Sequence, residues 1–374
     1  MANYIQHSPL AVRHYREQIG LSREFLAKKL DIALSTLEKG EQQDRAFSYN
    51  QIQKLAKFLF VPDFYLLTDQ IQDNDIPETV DHRNINPFDD SEDLEYKSQK
   101  ALHELIDNRN NLIYAFESLD ESIDQFSLKL SGNDATSDAE LIRYWLGVDQ
   151  AKFKTQNNDD YYRSWRTLIE KNNVMVIELP NIRIKSEGMA IYYDTLPIIA
   201  ILSSGQSPSR RLFTMIHELV HLGLRQSAID GDILSDNLKL EQYCNQVAGH
   251  VLLPKNTADN LYDSTVNLAD NINRIRKSVK VSRQAIAIQL KLLGLIDQLS
   301  LDAYLSEIDA KADGTNANFG IAQKTRTHNQ FGKVYLQQVI AAVWHNAIPI
   351  TTAMKMLRLK DADDLMYLEQ KVFS

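Results

Sequence analysis

One cysteine in 374 residues, Cys244, leaves nothing for an internal disulfide to join. No run of about 18 apolar residues occurs, so the sequence offers no transmembrane helix. The opening stretch, MANYIQHSPL, lacks the basic-then-apolar pattern of a signal peptide. These absences predict a cytoplasmic protein with no membrane contact. An excess of positive charge is also missing. With 41 Lys and Arg against 50 Asp and Glu, the net charge is −9. That argues against a surface given over to nucleic acid, while leaving room for one locally basic module. No internal repeat of fixed period is visible.

The length predicts two or three domains. Residues 8–67 place apolar side chains at helical spacing in LAVRHYREQI, REFLAKKL and YNQIQKLAKFL, with Ser22 as a helix cap and Pro62 just beyond the last helix. Residues 69–95 are acidic, proline-bearing and poor in large apolar groups, which reads as a linker or arm. From residue 139 the pattern alternates: a helix, then the runs VMVIEL, MAIYYD and PIIAIL, the last two spaced as a hairpin. Two helices follow, FTMIHELVHLGL and LEQYCNQVAGHVLL, the second ending at Pro254. Further short helices fill the remainder, and residues 271–296 have the shape of a second helix-turn-helix. The expected fold is mainly α and multidomain. It comprises a five-helix module at 1–69, an acidic linker and helical arm at 70–138, a central α+β domain with a small sheet at 139–260, and a helical region at 261–374.

FTMIHELVHLGL is the stretch that carries chemistry. On a helix, His217 and His221 lie one turn apart on one face, as two nitrogen ligands of a tetrahedral zinc ion must. Glu218 points about a quarter-turn away, where a general base stays off the metal. Phe213, Met215, Ile216, Leu219, Val220, Leu222 and Leu224 surround the three, so the helix belongs in a core. Buried polar groups need partners there, and one metal ion serves both imidazoles.

A hydrolytic zinc site needs a third protein ligand and an open position. Glu241, 20 residues after His221, is preferred, because a carboxylate leaves such a site open. Asp230, Asp232 and Asp236 in the connecting loop, and Cys244 and His250 on the second helix, are its rivals. Cys244, Ala248 and Gly249 are small, so the two helices can approach closely. Asn245 is placed to hydrogen-bond a ligand histidine from behind and fix its tautomer. Residues 197–202 read as an edge strand able to hold an extended peptide by β-addition. Tyr192 and Tyr193 are candidate oxyanion donors.

RRLFTMIHELVHLGL followed by LEQYCNQVAGHVLLP resembles the ImmA/IrrE family of zinc metallopeptidase-like proteins, over roughly residues 150–260. Glu241, Cys244, Asn245, Ala248, Leu253 and Pro254 match that family's second motif. The resemblance implies Zn²⁺ held by His217, His221 and Glu241, with Glu218 as the catalytic base, in a zincin-like domain. It also implies a DNA-binding repressor as the protein substrate.

LAVRHYREQIGLSREFLAKKLDIALSTLEKGEQ resembles the Cro/C1-type helix-turn-helix of phage repressors. The resemblance implies that the helix from Ser22 rests on DNA phosphates through Arg23. The next helix would enter the major groove, with Leu34, Ser35, Thr36 and Lys39 facing base edges or phosphate. One departure stands out: Gly40 precedes Glu41, and Gln43 sits where the family commonly has glycine. Two functions follow. One is a regulator whose zinc endopeptidase cleaves or inactivates a partner. The other is the antitoxin and repressor of a toxin–antitoxin pair, with a PIN-type nuclease toxin as partner and a metal site that does not cut. A homodimer is among the expected assemblies.

Overall fold

The computed structural model describes residues 4–71, 92–151, 153, 157–180, 187–224, 235–309 and 323–373. Among these, residues up to Asp107 form one compact unit and those from Asn108 onward form a second.

The first unit opens with α1 (Pro9–Gln18), α2 (Arg23–Leu30), α3 (Leu34–Gly40) and α4 (Tyr49–Phe58), then a 3-10 turn at Asp63–Leu67. The helix starts are written in the sequence. The hydroxyls of Ser8, Ser22 and Ser48 each accept a backbone N–H of the following first turn, and Ser48 with Gln51 completes a capping box. Val12, Tyr15, Leu26, Leu37, Phe47, Ile52, Leu55 and Leu66 build the core. The expected five helical segments are present, the fifth as the 3-10 turn.

The Gly40–Glu41 departure has a packing reason. A Cβ on Gly40 would lie 2.1 Å from the Phe47 ring, so only glycine lets that ring in. Glu41 is an interior ion-pair partner, its side chain 1% exposed. Arg16 Nε donates to Glu41 Oε1 at 2.5 Å and Arg23 Nε to Oε2 at 2.6 Å. Burial raises the Glu41 carboxyl, and the bonds from Arg16 and Arg23 more than reverse this, leaving it below the ordinary range. The unit ends on the first part of α5 (Glu92–Ser118), where Tyr96 packs among Phe25, Phe58 and Phe60.

The second unit continues with α6 (Ala135–Leu146), α7 (Asn158–Lys171), β1 (Met175–Glu178), β2 (Gly188–Ile191), β3 (Ile198–Ile201), α8 (Pro208–Gly223) and α9 (Ser235–Leu252). Then come α10 (Lys255–Leu261), α11 (Leu268–Val279), α12 (Arg283–Leu292), α13 (Gln298–Asp309), α14 (Gln323–Trp344), α15 (Ile350–Met356) and α16 (Ala362–Phe373). The strand order is β1-β3-β2. β1 runs parallel to β3 with Met175 opposite Ile198, and β2 runs antiparallel with Ile191 opposite Ile198. The hairpin reading of the last two strands therefore holds. The edge reading of residues 197–202 does not: β3 is the centre of the sheet, and β2 lies at its edge. The all-apolar sequence of β3 fits this, since a central strand covered on both faces needs no polar alternation.

One core joins residues from Phe126 through Trp165, β1, β3, α8 and α9 to Ile275, Leu290 and Tyr304. Packing is thus continuous across residues 260 and 261, where the sequence suggested a boundary. α11 and α12 form the helix-turn-helix shape expected at 271–296, with Lys280 left-handed at the turn and Ser282 capping α12. Arg166, almost wholly buried on α7, pairs with Glu170 one turn along the same helix and ties α7 to the carbonyls of Val176, Asn329 and Gln330. No described helix is long and apolar enough to cross a membrane.

Candidate metal centre

α8 starts on Ser207, whose hydroxyl accepts the Arg210 N–H, with Pro208 in the first turn. Its far side is buried through Leu212, Met215, Ile216, Leu219, Val220 and Leu222. Arg211 locks its start: Nη1 donates to both Glu178 oxygens at 3.0 and 2.9 Å, Nη2 donates to Asp159 at 2.9 Å, and the guanidinium lies over Tyr162. α9 packs across α8, with Cys244, Val247, Ala248 and Val251 fully buried. Small side chains at Cys244 and Ala248 permit the close approach that the spacing predicted.

That approach brings His217, His221 and Glu241 together. His217 Nε2 lies 3.0 Å from His221 Nε2 and 3.1 Å from Glu241 Oε2, and His221 Nε2 lies 3.3 Å from Glu241 Oε1. Protons alone serve this triangle poorly. If both Nε2 atoms carry hydrogen, the imidazoles repel each other; if one does not, its lone pair faces the carboxylate. A cation at the centre satisfies all three. The spacing fits zinc, because ligands about 2.05 Å from a tetrahedral ion stand about 3.3 Å apart. Exposures of 13%, 16% and 33% leave one side of the group open. Burial raises the Glu241 carboxyl, but hydrogen bonds from His217 and His221 hold it well below the ordinary range.

Glu218 is buried beside this group on the β2 side of α8. A Cβ on Gly188 would lie 2.6 Å from Glu218 Oε1 and 2.6 Å from Thr214 Cγ2. Strand β2 therefore touches the carboxylate with bare backbone. Gly188 was missed in the sequence, where GMAIYYD showed only a glycine at the head of an apolar run.

Two rivals of Glu241, His250 and Cys244, are placed elsewhere. His250 Nδ1 contacts Gln289 Nε2 at 3.0 Å, on the side of α9 that faces α12. Cys244 Sγ lies 3.8 Å from His221 Nδ1, behind the ring and away from the Nε2 that faces His217 and Glu241. Asp230, Asp232 and the side chain of Asp236 lie outside the described residues. The expected contact of Asn245 with His217 or His221 is not formed. Asn245 is exposed and makes no hydrogen bond to either ring, because it sits one residue round the helix from Cys244, which does face His221. The Tyr192 hydroxyl donates to Asp194 at 2.5 Å, and the Tyr193 ring stacks beneath Arg109.

In the first unit, Ser35 and Lys39 are exposed on α3, while Leu34 and Thr36 are half-buried. Arg23 is half-exposed and spends Nε on Glu41.

Family models match a stretch of each unit. Residues 169–291 match the peptidase M78 model described as the IrrE N-terminal-like domain, and residues 12–66 match a helix-turn-helix model. Along the chain the helix-turn-helix match comes first and the IrrE-like match second. No curated protein and no solved structure gives a significant match. The helix-turn-helix supports DNA binding, and the IrrE-like match runs past α9 to α12, which accords with the continuous core.

Proposed function

We propose that this IrrE-like chain is a DNA-binding transcriptional regulator whose second unit is a zinc-dependent endopeptidase acting on a protein partner, in the first place a DNA-binding repressor. The buried Glu218 carboxylate beside the His217–His221–Glu241 group carries this reading, since a purely structural zinc site has no use for a base. His217, His221 and Glu241 would hold the ion. When bound, Zn²⁺ would supply a Lewis acid for the scissile carbonyl and acidify the attacking water. Glu218 would take the proton of that water and pass it to the leaving amine. β2, at the sheet edge and in contact with Glu218 through Gly188, would align an extended peptide by strand addition. Ser35 and Lys39, with Leu34, Thr36 and Arg23 around them, would meet base edges and phosphates, and a homodimer would present two modules to paired half-sites.

The fused helix-turn-helix also supports a second reading, an antitoxin-repressor whose partner is a PIN-type nuclease toxin and whose metal site does not cut. Glu218→Gln separates the two. Under the peptidase reading this variant keeps its zinc and loses derepression of the regulated promoter in cells. Full derepression by the variant would leave only the binding role.

A further inference from the structure

At the start of α5, the Glu92 carboxylate grips the start of α2. Glu92 Oε1 accepts the Ser22 N–H at 2.8 Å, and Oε2 accepts the Ser22 hydroxyl at 2.7 Å. One residue on, Asp93 Oδ1 accepts from Lys29 Nζ at 2.6 Å, near the other end of α2. The opposite oxygen takes Lys97. The bonds from Lys29 and Lys97 lower the Asp93 carboxyl to about 2, so it is an anion at any physiological pH.

The register is not accidental. Tyr96, one turn after Glu92, stacks on Phe58 and Phe60 at 5.4 and 5.5 Å and tilts against Phe25 of α2. Those rings hold the first turn of α5 in place, so the two carboxylates meet α2 at defined points.

In a helix-turn-helix, the helix before the recognition helix crosses the DNA backbone, and helix starts offer N–H groups and a positive dipole end to phosphate. Here the start of α2 carries Ser22 N–H and Oγ and Arg23, and Lys29 adds a cation near its other end. Ser22 and Lys29 are met by Glu92 and Asp93, and Arg23 Nε by Glu41. A carboxylate accepting both an N–H and a hydroxyl makes the contacts a phosphate oxygen pair would make.

We propose that Glu92 and Asp93 act as a built-in phosphate mimic, occupying the backbone-contact site of the helix-turn-helix and competing with DNA for it. This rests on the DNA-binding reading of the module. The contacts set a threshold and do not block binding outright. They are partly exposed, and exposed pairs of that kind are weak enough for a polyanion to displace. Regulation then needs only a modest push: anything that favours release of the α5 start raises DNA affinity.

The test uses the full chain and a random-sequence duplex of about 30 bp, with fluorescence anisotropy across about 50–200 mM salt. The double variant Glu92→Gln/Asp93→Asn is compared with wild type and with Glu24→Gln. Glu24 is exposed in the first turn of α2, so its variant removes charge near the same phosphates without touching the arm. The double variant should bind about fivefold to tenfold tighter than wild type. Its salt slope should steepen by about 0.9 for each phosphate contact recovered. Glu24→Gln should gain clearly less. A double variant no tighter than wild type, or no tighter than Glu24→Gln, overturns the mimic and leaves DNA binding intact. Failure of both wild type and double variant to bind at low salt overturns the mimic together with the DNA-binding reading.

Discussion

Gly188 and Glu218 touch where a side chain would not fit: a Cβ on the glycine would lie 2.6 Å from the carboxylate oxygen. The edge strand and the histidine helix are thus registered against each other at the one residue proposed to move protons.

Gly188→Ala should therefore act on the base and spare the metal. The added methyl also meets Thr214 Cγ2 at 2.6 Å, so β2 or α8 must shift. Overpacking of this sort costs about 1–3 kcal/mol. The expected variant binds zinc as wild type does and unfolds at lower temperature. Metal analysis alongside thermal unfolding checks this, and unchanged thermal stability would mean that the contact is looser than the geometry states.

Zinc itself gives the second prediction. Wild type should carry one zinc per chain after dialysis, and Glu218→Gln should carry the same. His217→Ala and Glu241→Ala should each lose affinity by more than the about 10–100-fold that outer partners of a metal contribute. Competition with a chelating dye measures it. Equal loss from Glu218→Gln would place Glu218 among the ligands.

Much of this was legible in the sequence, and the misses share one cause. His217, His221 and Glu241 could be assembled from helical spacing and small residues at the helix crossing, because both are local patterns. The edge reading of residues 197–202 failed because strand order depends on a parallel pairing of β1 with β3 past the intervening β2, for which the sequence carries no local mark. Asn245 failed by one residue. A shift of about 100° around α9 turns Asn245 outward and Cys244 inward, and the rotation of a helix is set by packing. Glu41 was visible only as a departure from pattern, because its partner Arg16 lies 25 residues away.

Cys244 yields the third prediction. When His221 Nε2 faces a metal, the ring's other N–H points at Cys244 Sγ, 3.8 Å away, and this contact orients the imidazole. Cys244→Ala should weaken zinc binding by about tenfold, at the low end for such partners. Asn245→Ala, at an exposed position, should leave it unchanged. The reverse ranking would restore Asn245 as the orienting residue.

The fourth prediction concerns Glu41 and acid. Its carboxyl sits below the usual range in the folded protein, held there by Arg16 and Arg23 against the cost of burial. A depressed carboxylate contributes stability that is present above its unfolded pKa and is lost as pH falls through its folded one. Arg16 is shifted upward and stays charged throughout, so the loss on acidification belongs to Glu41. Amides of α1–α4 should exchange faster with solvent as pH drops below about 4, after correction for intrinsic rates. Glu41→Gln should remove that component and, by leaving Arg16 buried against a neutral amide, cost the module about 3 kcal/mol at neutral pH. Hydrogen exchange on the full chain reads the first unit separately from the second. A Glu41→Gln chain with wild-type protection in α1–α4 would show that the buried pair contributes nothing to holding the helix-turn-helix together.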